Sequence, residues 1–108
     1  MDIIVANLLA ELPDARSGEV FTELLARPGV RIERIVSHGQ ETPGNTPFLQ
    51  DRDEWVLLLA GSAAIRLEGS EAVALAPGDC LTIPAGVPHW VTRTDPDTPT
   101  VWLAIHLG

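Results

Sequence analysis

Lysine is absent from this 108-residue chain, so its seven Lys/Arg residues are all arginines. Fifteen aspartates and glutamates oppose them, and the formal net charge is −8. Because this average field repels phosphate groups, we expect no nucleic-acid partner. Anionic membrane surfaces are disfavoured for the same reason, so we expect no membrane partner either.

The chain has one cysteine and no long apolar run. A lone Cys80 excludes an internal disulfide and a Cys-x-x-Cys zinc site, and its apolar neighbours predict a small buried side chain. The longest apolar stretch, residues 55–60, is far short of the roughly 20 residues that span a bilayer. No basic region precedes an apolar one as in a signal peptide. These observations favour a cytoplasmic protein.

Turn-forming residues are plentiful, with nine glycines and nine prolines in a chain that is 45% hydrophobic. Breakers between short apolar runs predict an all-β protein with little helix, in one domain over residues 1–108. The leading architecture is a jelly-roll β-barrel of two facing antiparallel sheets. The predicted strands are 20–26, 30–36, 54–60, 63–68, 72–76, 80–83, 89–93 and 100–107, with a short helical turn at 7–12.

One predicted strand, residues 30–36, alternates clearly. Val30, Ile32 and Val36 fall on one face, whereas Arg31 and Glu33 fall on the other. This period of two is typical of a half-buried strand.

Two spaced motifs are more specific than the composition. Gly78, five residues, Pro84-Ala85-Gly86, two residues and His89 form the second, and Glu54, six residues and Gly61 form part of the first. The sequence resembles a small single-domain cupin of the microbial type, a conserved β-barrel, with motif 1 at about 48–61 and motif 2 at 78–93. Sixteen residues separate Gly61 from Gly78, close to the spacing in small cupins.

The resemblance implies a divalent metal inside the barrel, of the Fe, Mn, Ni or Zn kind. Glu54 and His89 match ligand positions of the family. The two histidines of the first motif are replaced by Phe48, which cannot ligate, and Gln50, which can through its amide oxygen. The candidate metal ligands are therefore Gln50, Glu54 and His89.

Strand alternation predicts what else faces the interior. If Glu54 points inward, so do Val56 and Leu58, and if His89 points inward, so does Arg93. Arg93 stands where the family motif has Asn. Buried charges must be paired, so two explanations stay open: a metal at Glu54 and His89, or a buried Glu54–Arg93 ion pair in a metal-free barrel.

Two further histidines are candidates to complete the site. His38 lies in a Gly-flanked loop and is interpreted as a solvated residue that could reach the barrel mouth. His106 shares a face of the last strand with Trp102 and Ala104, and joins the cavity if that face is inward. Glu54, His89 and His106 are the catalytic candidates.

The remaining apolar residues predict a subunit contact. Trp55 and Trp90 each follow a candidate ligand, so both lie on the opposite face from it. With Leu57 and Leu59 they could form an apolar outer surface, which a homodimer would cover.

Two functions remain open. The first is a metal-dependent enzyme, a dioxygenase or an isomerase, acting on a small organic molecule inside the barrel. The second is a non-enzymatic cupin, metal-free, that binds a small ligand or serves as a dimeric structural module with Glu54 and Arg93 paired. The residues do not decide between them, because this fold hosts many activities.

Overall fold

The computed structural model describes residues 1–108 and contains eight strands and no helix. The predicted strands are confirmed to within a few residues, and the stretch 7–12 holds a turn in which the Ala10 amide donates to the Asn7 carbonyl. The strands are β1 Val20–Arg27, β2 Val30–Ser37, β3 Asp53–Ala60, β4 Ala63–Leu67, β5 Val73–Leu75, β6 Cys80–Ile83, β7 His89–Thr94 and β8 Thr100–Leu107. No helix is long and apolar enough to cross a membrane.

The strands form two antiparallel sheets. One has five strands in the order β1-β2-β8-β3-β6, and the other has three in the order β5-β4-β7. The predicted all-β architecture of two facing sheets is thereby confirmed. In the larger sheet β8 lies between β2 and β3, so side chains from distant parts of the sequence become neighbours.

The hydrophobic core lies between the sheets. Its buried members come from both sheets, and partly buried Ile35, Leu67, Leu81 and Val91 pack against them. The core residues are Val56, Leu58, Ala63, Ile65, Leu75, Ile83, Trp102 and Ala104. This core fills one part of the barrel, and the polar residues described below occupy the rest.

The motif glycines stand where the backbone needs a positive φ. Gly61, Gly78 and Gly86 have φ values of 87°, 96° and 78°. Gly61 is also crowded, because a Cβ there would lie 2.5 Å from Thr100 Oγ1 and 2.7 Å from Thr100 Cα. A residue without a side chain is therefore required where β3 turns into β4.

Two expectations from the sequence, for Cys80 and for the end of β7, are corrected, and the inward face of β2, which the sequence did not assign, is identified. Cys80 is exposed rather than buried. On β2, the face that carries Glu33 is the one that points into the barrel, and Glu33 is 6% exposed. On β7, Ile65 pairs with Val91 and Ala64 with Arg93, so Thr92 is an extra residue that forms a β-bulge.

The bulge reverses the alternation expected for the end of β7. Thr94 is buried, whereas Arg93 is exposed and donates to Ser62 Oγ at 3.2 Å. The proposed buried Glu54–Arg93 pair is therefore wrong, because Arg93 does not face the interior.

Candidate functional site

A row of polar side chains runs across one end of the barrel. Register places Glu33 beside Ala104 and Glu54 beside His106, so β2, β8 and β3 present their side chains to a common interior. Gln50 enters from the loop before β3, and His89 opens β7. Glu33, Glu54, His89 and His106 are each at most 6% exposed.

Hydrogen bonds join these side chains in sequence. Glu33 Oε1 lies 2.8 Å from His106 Nε2, and His106 Nδ1 lies 3.0 Å from Gln50 Oε1. The Gln50 amide then donates from Nε2 to Glu54 Oε1 at 3.0 Å. The row therefore runs Glu33, His106, Gln50, Glu54, and Glu54 Oε1 ends 3.7 Å from His89 Nε2.

The partners of His106 define its hydrogens. Both ring nitrogens face oxygen atoms, one of a carboxylate and one of an amide carbonyl. An amide oxygen only accepts, and so does an ionised carboxylate. Nδ1 of His106 therefore donates to Gln50, and Nε2 lies within hydrogen-bond distance of the Glu33 carboxyl group.

His89 is oriented differently. Its Nδ1 donates to the Val87 carbonyl at 3.1 Å, which leaves Nε2 directed toward Glu54. The Phe48 ring stacks on the imidazole with centroids 5.6 Å apart, and backbone bonds in both directions join Phe48 to His89. Phe48 stands where the family motif carries a histidine, and here it holds the His89 ring in place.

A small cavity lies beside the pair. Its volume is about 70 Å³, and most of its lining is apolar, with Glu54, His89 and Gln50 among the polar members. Phe21, Glu33 and Gln50 also line an open depression of about 1160 Å³ at the barrel mouth, together with Arg31 and Arg52. The cavity beside the buried pair and the depression at the mouth therefore share Phe21, Glu33 and Gln50 as lining residues.

The family assignment follows from this fold and this site. The profile described as "Cupin domain" matches residues 33–106, more than half of the chain. This protein belongs to the cupin family. The matched residues include every member of the polar row. No curated protein matches the chain.

Solved structures agree with the assignment. A provisionally named mannose-6-phosphate isomerase from Ralstonia eutropha JMP134 is 42% identical to this cupin, with a TM-score of 0.93, and the match covers 97% of this chain and 98% of that one. A cupin superfamily protein from Desulfitobacterium hafniense DCB-2 is 23% identical, with a TM-score of 0.76, over 99% and 94% of the two chains. An RmlC-like cupin with a double-stranded β-helix fold from Methanocaldococcus jannaschii is 17% identical, with a TM-score of 0.70, over 96% and 92%. The last two show likeness of fold alone.

The structure brings together Gln50, Glu54, His89 and His106 of the residues singled out from the sequence. His38 lines neither the cavity nor the mouth. Glu33 belongs to the row and was missed, because an arginine–glutamate face on an alternating strand resembles a solvent face. The face of β2 that points into the barrel depends on the pairing of β2 with β8, and no local pattern reveals that pairing.

The donor set for a metal is incomplete in this arrangement. No three His, Cys, Asp or Glu side chains come together as a metal site. Glu54 Oε1 and His89 Nε2 face each other, but Gln50 presents its N–H to Glu54 and its oxygen to His106. Two of the three predicted ligands are therefore available together, and the third is committed elsewhere.

Proposed function

We propose that this cupin binds a small anionic organic molecule at the barrel mouth and transfers a proton on it, in an isomerase-type reaction. One observation carries the proposal: His89 Nε2 and Glu54 Oε1 face each other at 3.7 Å, both buried, beside a cavity that shares three lining residues with the mouth. With Nδ1–H donated to Val87, a neutral His89 presents a lone pair to a carboxylate. A group that supplies hydrogens to both atoms fits this gap, as a hydroxyl-bearing substrate does.

The chemistry needs only proton movement. Isomerisation of a 2-hydroxy carbonyl compound removes a proton from one carbon, returns a proton to its neighbour, and moves a proton between the two oxygens. His89 Nε2 serves as the base at carbon, because Val87 holds the ring in the tautomer that leaves this nitrogen free. Glu54 carries the proton between the oxygens. Protons balance over the reaction, and no oxidant is consumed.

The substrate class rests on the mouth and on a relative. Arg52 forms no ion pair, and the only ion pair of Arg31 is a 3.4 Å contact with Glu33. Arg31 and Arg52 are the cations at an opening that Glu33 and Asp51 also line, and Arg52, which has no ion pair, is the group that would bind an anionic substituent. The provisional name of the 42% identical protein from Ralstonia eutropha JMP134 refers to a sugar phosphate, which has such a substituent.

The test follows hydrogen exchange rather than product alone. Mannose 6-phosphate in deuterated water is incubated with the protein, and loss of the C2 proton signal is followed by NMR. His89→Gln and Glu54→Gln should each slow exchange by about 100-fold or more, and Arg93→Gln, an exposed control, should not. Exchange that is absent in the parent, or that survives in His89→Gln, would contradict the proposal.

A divalent metal at Gln50, Glu54 and His89 is the second candidate. The observation that favours it is the Nδ1–H bond from His89 to a backbone carbonyl, the usual second contact of a metal-binding histidine. Glu54 and His89 would hold an Fe, Mn, Ni or Zn ion, which would act as a Lewis acid. Gln50 would join them only with its amide reversed.

Metal analysis of protein purified without an affinity tag tests this candidate. A stoichiometric metal that is lost in the Glu54→Gln/His89→Ala double variant supports it. No binding after addition of each of the four ions to the parent argues against it. The cytoplasmic location and the single-domain organisation of residues 1–108 stay predictions.

A further inference from the structure

Gln50 is the residue of the polar row whose side-chain amide has both a hydrogen-bond donor and an acceptor. Its Nε2 donates to Glu54, and its Oε1 accepts from His106. Reversal of the amide would direct its oxygen toward Glu54 Oε1, so that two acceptors would face each other. Such a contact is unfavourable unless a cation lies between them. The small cavity beside Glu54 and His89 is called the chamber below. The direction of the Gln50 amide therefore decides whether its oxygen joins Glu54 and His89 as a ligand in the chamber.

Glu33 and His106 are not used by the proposed reaction, yet both are almost fully buried. Burial of a carboxylate and an imidazole is costly unless their hydrogen bonds are made. Here each bond is made: Glu33 contacts His106 and Arg31, and the second nitrogen of His106 contacts Gln50. His106 meets the chamber through the Gln50 oxygen, whereas Glu33 also contributes to the chamber's lining.

We propose that Glu33 and His106 are positioning residues that hold the Gln50 amide oxygen away from the chamber. Glu33 fixes the His106 ring, the ring donates to the Gln50 oxygen, and the Gln50 nitrogen is thereby turned to Glu54. The chamber then has two strong donors, Glu54 and His89, rather than three. The inference rests on the assignment of this chamber as the site of the proposed function, but it concerns the amide and not the reaction.

A measurable consequence is that removal of this hold should improve divalent-metal binding. In the double variant Glu33→Gln/His106→Leu the buried charges are removed together, and nothing donates to the Gln50 oxygen. The amide can then reverse and supply a third ligand. We expect Ni²⁺ or Zn²⁺ to bind about 10-fold tighter than to the parent, the lower end of the effect that outer contacts have on metal sites.

The experiment is calorimetry of the metal-stripped parent and variants with each ion alone. Addition of Gln50→Met to the double variant removes the amide and should abolish the gain. His106→Gln retains an N–H donor and should keep the affinity of the parent. His38→Leu, which removes an imidazole outside the row, should also leave the affinity unchanged.

Three results would overturn the proposal: an unchanged affinity in the double variant, a weaker affinity, which would make His106 itself a ligand, or a gain that survives Gln50→Met. If the double variant fails to fold by circular dichroism, Glu33→Gln alone replaces it and should shift affinity in the same direction by a smaller factor. The Gln50 side-chain N–H₂ signals report the direction of the amide, since they should move when Zn²⁺ is added to the double variant but not when it is added to the parent. Proton exchange on mannose 6-phosphate is measured on the parent, so the two proposals fail independently.

Discussion

At the scale of single residues, the polar row shows which side chains strand alternation can and cannot place in the barrel interior. Glu54 and His89 could be predicted from spaced motifs, and their side chains do enter the barrel interior. Glu33 could not, because it shares its face of β2 with the exposed Arg31, as residues on a solvent face do, although that face points into the barrel. Arg93 was assigned to the interior and lies outside, since a one-residue bulge shifts every residue after it to the other face.

Substitution of Glu33 should therefore cost much more stability than substitution of Arg93. Glu33→Ala leaves Nε2 of buried His106 without its hydrogen-bond partner, and we expect a loss of about 1–3 kcal/mol in the free energy of unfolding. Arg93→Ala removes an exposed contact to Ser62, and we expect a change within about 0.5 kcal/mol. Urea denaturation of the two variants measures both. A loss that is larger for Arg93→Ala than for Glu33→Ala would instead support a buried Glu54–Arg93 ion pair.

At the scale of elements, the strands follow local chemistry closely, and the turns between them depend on glycine. The breakers and apolar runs were sufficient to predict all eight strands, because each strand is short and is followed within two residues by a glycine or a proline. The order of strands across the sheet was not predictable from those signals. It depends on long-range pairing, such as that of β2 and β3 on either side of β8.

Gly61 should be the least replaceable of the turn glycines. An alanine there would meet Thr100 Oγ1 and Cα at 2.5 and 2.7 Å and would also adopt a positive φ, so we expect Gly61→Ala to cost about 2–5 kcal/mol. Gly69 is the matched control, with φ of 83° and no atom within 4 Å of the added Cβ. Gly69→Ala should cost about 1–2 kcal/mol. Equal losses in thermal or urea unfolding would show that the contact with Thr100 is not the cause.

The turn between β7 and β8 should weaken in acid. The backbone N–H of Asp97 donates to the Asp95 carboxylate, Thr98 adds further bonds, and together they lower the pKa of Asp95 below its ordinary value. A lowered folded-state pKa adds stability above the unfolded-state pKa, and this stability is lost as pH falls through the folded-state pKa. The melting temperature of Asp95→Ala should lie below that of the parent at neutral pH, and the gap should close in acid. A gap that is constant with pH would contradict this role.

At the scale of the whole molecule, the two sheets differ in what covers their outer faces. The predicted outer surface of Trp55, Trp90, Leu57 and Leu59 is not one surface, since Trp90 lies on the smaller sheet under the Arg66 guanidinium. The larger sheet instead carries a continuous apolar band across β2, β8 and β3. Register pairs Ile105 with both Ile32 and Trp55, and Leu103 with Leu57.

We propose that this band is the contact of a homodimer. All five of its members are partly exposed, which is unusual for neighbouring apolar side chains at the centre of a sheet. Trp55→Glu places a charge within the band and should convert a dimer into a monomer, as light scattering at several concentrations would show. Trp90→Ala is the control and should leave the mass unchanged, whereas a parent that is monomeric at high concentration would contradict the proposal.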